Sequence, residues 1–339
     1  MRSATLSPQT GLPLAGAQPA RWIISREQDL IWFIGSSLAG YLALGLLAAG
    51  APILPIMLFW LLLVDGPHVL STVTRTYFDK AERSRLGWFL WIPLPLMLAG
   101  PAAAWTGGAA LFFLFAVCWQ HFHIVKQHFG FMMLYKAKNQ ERGRVDFLLD
   151  RWFLLTSLFV PLGLFVLRTQ PAISAWRPSG LLATAAVWGY VALAATWLAR
   201  QARKLGAGIP MNWPKLALLA LLHASHYGAD GIVRAAIALG LFHSFQYHRL
   251  MWFHNHNRYT QPGAEERNGA AVWLATSVPK YLAAAIGFHF VLSYLPQFLF
   301  PSVMLQAAIW GIPFTHYMLD ARIWHVRSDQ ELAAALRMR

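Results

Sequence analysis

The 339-residue chain has a single cysteine, Cys118, which excludes an intrachain disulfide and any CxxC metal or redox motif. Charge is scarce too. Only 12% of the residues are charged, about half the share of an ordinary soluble domain. Acidic residues are the rarest class, 14 against 28 basic ones, for a formal net charge of +14. No phosphate-binding glycine loop and no nicotinamide or flavin fingerprint occurs, so any reductant must come from a separate electron donor. The first 28 residues lack the apolar core of a secretory signal and read as a disordered cytoplasmic leader.

What the chain has in abundance is apolar surface, 57% hydrophobic residues with 16 Trp and 22 Phe. Runs long enough to cross a bilayer, about 20 residues each, recur from Trp32 to Trp324. They predict an all-α fold, a polytopic transmembrane helical bundle of about ten spans. The spans are 30–50, 53–74, 87–104, 109–135, 152–168, 181–199, 214–228, 231–254, 271–295 and 299–321. Alternate connectors carry the basic residues: Arg75, Lys80, Arg83 and Arg85, then Lys136, Lys138, Arg142, Arg144 and Arg151, then Arg200, Arg203 and Lys204. The turns at 51–52 and 105–108 carry none. That alternation predicts cytoplasmic N and C termini, and it explains the positive charge without a nucleic-acid partner. The organisation expected is a leader (1–28), one transmembrane domain (29–325) and a cytoplasmic tail (326–339), in a bacterial inner membrane. The span 214–228 is short and meets Gly228-Ala229-Asp230-Gly231, so a broken or re-entrant helix is expected there.

The 13 histidines are concentrated in these spans rather than in the loops. The stretch "CWQHFHIVKQHFGFMML" (118–134) alone holds His121, His123 and His128. His68 lies in the second span, His223 and His226 in the seventh, His243 and His248 in the eighth, and His316 in the tenth. Ionisable groups at membrane depth are costly and mark function. With a rise of about 1.5 Å per residue, His68, His128, His248 and His316 share one depth nearer the cytoplasmic leaflet. His243 and His121 lie one to two turns deeper. Rings from separate helices in one layer can meet on one ion.

Facing refines the set. Seven residues turn a helix through about 700°, so His121 and His128 share a face while His123 points nearly the opposite way. His223 and His226 are cofacial, and His226–Asp230 and His316–Asp320 are i, i+4 pairs in which a carboxylate can orient an imidazole. Thr72, one turn after His68, can orient it or bond a carbonyl; Asp65, one turn before, can join the centre or satisfy the helix break at Pro67. Neutral imidazole binds Fe, Zn and Cu. The candidate metal ligands are therefore His68, His121, His128, His223, His226, His243, His248 and His316. Iron, as one or two ions, is the first expectation, with Zn or Cu as alternatives. His254 and His256 read as interfacial, His289 as a packing residue and His325 as a surface one.

The order of four motifs, "GPHVL" (66–70), "QHFGFM" (127–132), "LFHSFQYH" (241–248) and "FTHYMLD" (314–320), resembles the Brp/Blh family of integral-membrane β-carotene dioxygenases. The resemblance covers residues 66–320. It implies that His68, His128 and His243 occupy iron-ligand positions and that His316 belongs to the late motif. The family's tighter histidine pair falls on Tyr247, one residue before His248. The family implies non-haem iron, O2 as co-substrate and a long apolar substrate entering from the bilayer. Three features depart from its pattern: Val69-Leu70-Ser71-Thr72 replaces Gly-Ala-Leu-Asp, the acidic residue following His-Phe-Gly is missing, and "SHYGAD" (225–230) offers a rival second motif. The surplus histidines His121, His223 and His226 provide material for a second metal position.

The leading expectation is a membrane oxygenase acting with O2 on an apolar, bilayer-dissolved substrate, carotenoid or lipid-like. Histidines serve as ligands, with Asp320, Asp230 and Tyr247 as the catalytic candidates. The alternatives are a transporter of metal ions or protons and a haem-binding or structural membrane subunit.

Overall fold

The computed structural model of the chain describes residues 21–169, 179–227, 231–275 and 277–338. Asp230, one of the catalytic candidates, lies outside them. Every regular element among the described residues is helical. In chain order they are α1 (Arg26–Ala48), α2 (Ile53–Phe78), α3 (Lys80–Trp105), α4 (Ala109–Lys138), α5 (Arg144–Arg168) and α6 (Ser179–Gly206). Then follow α7 (Trp213–Tyr227), α8 (Ile232–Tyr259), α9 (Ala264–Asn268) and α10 (Ala270–Ala275). The chain ends with α11 (Val278–Leu299), α12 (Val303–Ile309), α13 (Gly311–Ile323) and α14 (Gln330–Ala335).

Seven of these helices, α1–α6 and α11, are long and apolar enough to cross a membrane. Leucines and tryptophans such as Leu38, Leu42, Leu98, Leu181 and Trp188 are exposed on their outer faces, where water would disfavour them. The other three expected spans differ for identifiable reasons. α7 has 15 residues, short for a bilayer. α12 and α13 are separated at Trp310. α8 is 28 residues long but carries Arg234, Arg249 and Arg258 with four histidines.

α8 is an interior helix. It packs against α1, α2, α4, α7, α10 and α14, and Ala238, Phe242, His243, Gln246, Tyr247, Met251 and His254 are all buried around it. Such enclosure is what a helix without a polar face requires. Gly40 of α1 makes part of it possible: a Cβ there would lie 2.6 Å from the Ala238 carbonyl oxygen. α4 packs against α3, α5, α7, α8, α12 and α13 and leaves an outward stripe with Leu111, Phe115 and Phe122 exposed.

The leader needs a correction at its end. Residues 21–28 are packed rather than free. Asn139 exchanges two 2.9 Å hydrogen bonds with the backbone of Arg21, and Ile23 is buried under the main core. At the other terminus α14 inserts Leu332 and Leu336 into that core beside Leu250 and Phe253.

One end of α4–α7 is joined by charge. Asp150 of α5 accepts Lys136 Nζ at 2.6 Å, Lys215 Nζ at 2.8 Å and Trp197 Nε1 at 2.9 Å. Glu141, in the α4–α5 connector, accepts Lys204 and Lys215 at 2.6 and 2.9 Å. Burial pushes the Glu141 carboxyl up, but Lys215, Lys204 and Lys136 together override it and hold the group down to about 2. A carboxylate depressed in the fold contributes stability above its ordinary value near 4.5 and loses it as pH falls from there to about 2. Acidification through that window is expected to lower the unfolding temperature of purified wild type by more than that of Glu141→Gln. Melting curves across pH in one detergent check this.

Candidate metal centre

The first histidine of the site sits where the helix ladder is interrupted. Pro67 has no N–H to donate and its ring crowds the preceding turn. α2 accommodates this by widening into a π-helical stretch, Phe59–Asp65, before α-helix resumes at Gly66. The backbone carbonyl of Asp65 accepts from His68 Nδ1. Gly66 leaves the space in which the His289 ring lies, 2.0 Å from where a Cβ would stand. The Asp65 carboxylate accepts Ser244 Oγ at 2.7 Å, tying α2 to α8.

Four imidazoles from four helices close into a ring: His68 of α2, His316 of α13, His123 of α4 and His243 of α8. Successive ring centroids are 4.6, 4.7, 5.1 and 5.1 Å apart around the circuit. All four are buried. One ligand atom each from His68, His123 and His316 lie mutually within 4.8 Å, as do atoms of Asp65, His68 and His243. His68 Nε2 and His316 Nε2 face each other at 2.9 Å.

Hydrogen bonding assigns the protons. A carbonyl oxygen only accepts, so His68 holds its proton on Nδ1 towards Asp65 and turns a bare Nε2 inward. Thr72 Oγ1 donates its one proton to Asp320 Oδ1 at 2.6 Å, and so accepts from His316 Nδ1 at 2.7 Å. His316 Nε2 is then bare as well. Tyr247 also donates to Asp320 Oδ1, at 2.9 Å, and fixes the carboxylate. Two lone pairs meeting at 2.9 Å repel unless a cation lies between them. His123 Nε2 and His243 Nδ1 are buried without a partner beside them.

The donor set fits a transition-metal ion. Ligand nitrogens about 2.1 Å from a shared metal sit roughly 3 Å apart when they subtend a right angle, close to the His68–His316 separation. Each imidazole whose outer nitrogen is engaged is held as metal-bound histidines usually are, by a carbonyl or through a hydroxyl to a carboxylate. Thr72→Val removes the link between His316 and Asp320 while keeping the volume. It is expected to weaken metal affinity about 10–100-fold in a protein that still folds, as metal titration of the stripped variant reads directly.

Of the histidines expected from the sequence, the structure brings His68, His243 and His316 together. Tyr247 and Asp320 join them as supports, the Tyr247 ring being 5.3 Å from His68. Five others stand elsewhere. His248 is engaged on both nitrogens: Nε2 donates to the Val64 carbonyl at 3.0 Å, and the Tyr281 hydroxyl lies 3.5 Å from Nδ1. His121, His223 and His226 face α5 and α7 on the far side of α4, with His121 Nε2 on the Leu158 carbonyl. His128 is fully buried, gives Nδ1 to the Ile124 carbonyl at 2.9 Å, and lies 6.4 Å from His243 between centroids, outside the ring of four.

His123 takes the place expected for His128, against the expectation that it faces elsewhere. The rotation argument was sound, since His123 does point away from His121. Both directions lead into protein: His123 meets α8 and α13 and His121 meets α5 and α7, while the outward stripe of α4 carries Leu111, Phe115 and Phe122. Tyr317 stacks on the His123 ring at 4.3 Å and holds it to the centre. The available signal was that α4 carries histidines on opposite faces, as a helix packed by protein on two sides can. No protein-family model matches this chain, and neither curated proteins nor solved structures give a match.

Proposed function

We propose that the chain is an integral-membrane, histidine-ligated non-haem iron oxygenase that acts with O2 on an apolar substrate dissolved in the bilayer. The observation that supports this best is the inward pair of bare nitrogens, His68 Nε2 and His316 Nε2, within a ring of four buried imidazoles. Thiolates are absent, and buried imidazoles with the Asp65 carboxylate beside them form a donor set that suits iron, copper or zinc. Iron bound there would supply a site for activating O2 beside the substrate. His68, His123, His243 and His316 would hold it, while Thr72, Asp320 and Tyr247 orient His316.

An apolar groove of about 650 Å³ runs between α2, α10 and α11, lined by Leu70, Trp273, Leu274, Ala284, Gly287 and Phe288. Leu70 lies two residues from both His68 and Thr72. Behind it the hydroxyls of Ser71 and Tyr281 meet. This is the approach we assign to a carotenoid or lipid-like substrate arriving from the lipid. Cleavage of a C=C bond by O2 into two carbonyls balances without a reductant, whereas hydroxylation of a C–H bond needs two electrons and two protons from a separate donor. The ten-span topology, with cytoplasmic termini and the centre nearer the cytoplasmic leaflet, belongs to the same proposal, as does the Brp/Blh-like ancestry.

Protein expressed in iron-replete cells is expected to carry iron and to consume O2 when β-carotene or a lipid is added. A Cβ on Gly287 meets nothing within 4 Å, so a side chain can start there, and Gly287→Trp is expected to fill the groove. It should cut O2 uptake at least tenfold while iron content stays unchanged. Wild type lacking iron after that expression would sink the proposal.

A further inference from the structure

On the reading that the groove between α2, α10 and α11 is the substrate's approach, we infer that its occupant is a long-chain carboxylate. The carboxylate sits at Lys80 and Lys280, and the chain runs inward past Leu70. The lining itself is apolar from end to end and would suit any hydrocarbon. The mouth is what distinguishes a fatty acid from an uncharged chain.

The groove opens where α2 ends and α11 begins. Phe78, the last residue of α2, lines it there with Ala270 and Trp273 of α10. Trp273 is 61% exposed, as indoles are at the boundary between lipid and water. Lys280 lies over the Trp273 ring, 4.7 Å from its centroid, and its Nζ donates to the Trp273 carbonyl at 3.2 Å. Lys80 comes from the start of α3. Its Cβ is 3.7 Å from where a Cβ on Gly269, the residue before Ala270, would stand. Lys80 is exposed and Lys280 half-buried. The N-terminus of α11 is presented at the same mouth, with Ser277 Oγ accepting from the Lys280 amide at 3.2 Å. A helix N-terminus favours a negative charge beside it.

The acids of this end do not cancel the two ammonium groups. Asp79 is held by Arg258 at 3.1 Å, and Glu82 by Arg85. Glu265 and Glu266 are exposed on α9 with Arg267 beside them, and Arg83 stands one turn after Lys80. Basic side chains therefore outnumber exposed carboxylates around the opening, and an uncharged hydrocarbon would make no use of them.

The channel suits a single chain. From the mouth it follows α11 inward through Ala284, Gly287 and Phe288 to Val291 and Leu292. Gly287 has no side chain to close it. Its volume of about 650 Å³ is that of a site for one small-molecule ligand. Leu70 lies about 12 Å of helix inward from Phe78. An extended chain advances about 1.2 Å per bond, so carbons roughly ten bonds from the carboxylate come level with Leu70. Leu70 is two residues from His68. The centre is thus set to meet the middle of the chain rather than its end.

Binding tests this without metal or O2. Full-length protein, stripped of metal and reconstituted in phosphatidylcholine vesicles, is titrated with spin-labelled stearate or its methyl ester, and the immobilised fraction is read by electron paramagnetic resonance. Wild type should hold the acid at least tenfold more tightly than the ester. Lys80→Glu/Lys280→Glu, running as wild type on gel filtration, should bind the acid no better than the ester, and Gly287→Trp should bind neither. Equal affinity of wild type for acid and ester would overturn the inference. So would a preference that survives the charge reversal, or unchanged binding by Gly287→Trp. Displacement of the stearate by an equal amount of phosphatidylglycerol would overturn it too, by making the occupant a two-chain lipid. A preference for the acid in a protein that carries no iron after iron-replete expression would sustain this site and remove the oxygenase reading. Iron and O2 uptake without the preference would do the reverse.

Discussion

His316→Ala empties the four-histidine centre. The residue is 1% exposed and supplies the nitrogen that faces His68 at 2.9 Å, so its loss removes a ligand and the link that runs from the centre through Thr72 to Asp320. Loss of a supporting residue alone costs such sites 10–100-fold in affinity; loss of the ligand itself should exceed 100-fold. A metal present at about a thousand times its Kd stabilises a fold by roughly 4 kcal/mol. Metal-loaded wild type should therefore resist denaturation more than stripped wild type, and His316→Ala should show little of that difference. Zinc or iron titration followed by melting of loaded and stripped samples gives both numbers. A variant that binds as tightly as wild type would mean that the ring of four is a packing arrangement.

Asp150→Ala should be the most destabilising substitution in the molecule outside the histidines. Asp150 is fully buried and accepts Lys136, Lys215 and Trp197 together. Its removal leaves two buried ammonium groups, Lys215 at 0% and Lys136 at 2% exposed, with only Glu141, which Lys204 already shares, as the carboxylate beside them among the described residues. Breaking one side of a buried pair costs about 3–5 kcal/mol, because the remaining charge is uncompensated. Asp150→Asn, which keeps the shape and one acceptor, should cost less. Adding Lys215→Met to Asp150→Ala should recover part of the loss, since one of the stranded charges goes with it. Denaturant titrations of the three variants in detergent check the order. If Asp150→Ala matched wild type, the lysines would have to be reaching water or other acceptors.

Much of this was legible in one dimension. The apolar runs mark the seven long helices, and Pro67-His68 marks the interrupted turn from which the centre starts. The i, i+4 spacing of His316 and Asp320 correctly places ring and carboxylate together, although the contact that orients the ring comes through Thr72, from another helix. Depth counted from the first basic residue was a coarser guide. It grouped His128 and His248 with His68, yet His248 is spent on Val64 and Tyr281, and His128 faces Phe242.

Hydropathy and helical periodicity by themselves determined that this chain makes apolar helices and keeps its imidazoles inside them, because burial energy and backbone hydrogen bonding act along the segment. Which imidazoles meet was decided only by the tertiary structure. The rotation of each helix about its own axis depends on every neighbour that encloses it. For α8, enclosed from Ala235 to Asn255, no exposed face exists from which the inward direction can be read, and α4 keeps only a stripe of exposed residues, Leu111, Phe115, Phe122 and Lys126, with protein packed on both sides of it. That is why His123, and not His128, closes the ring.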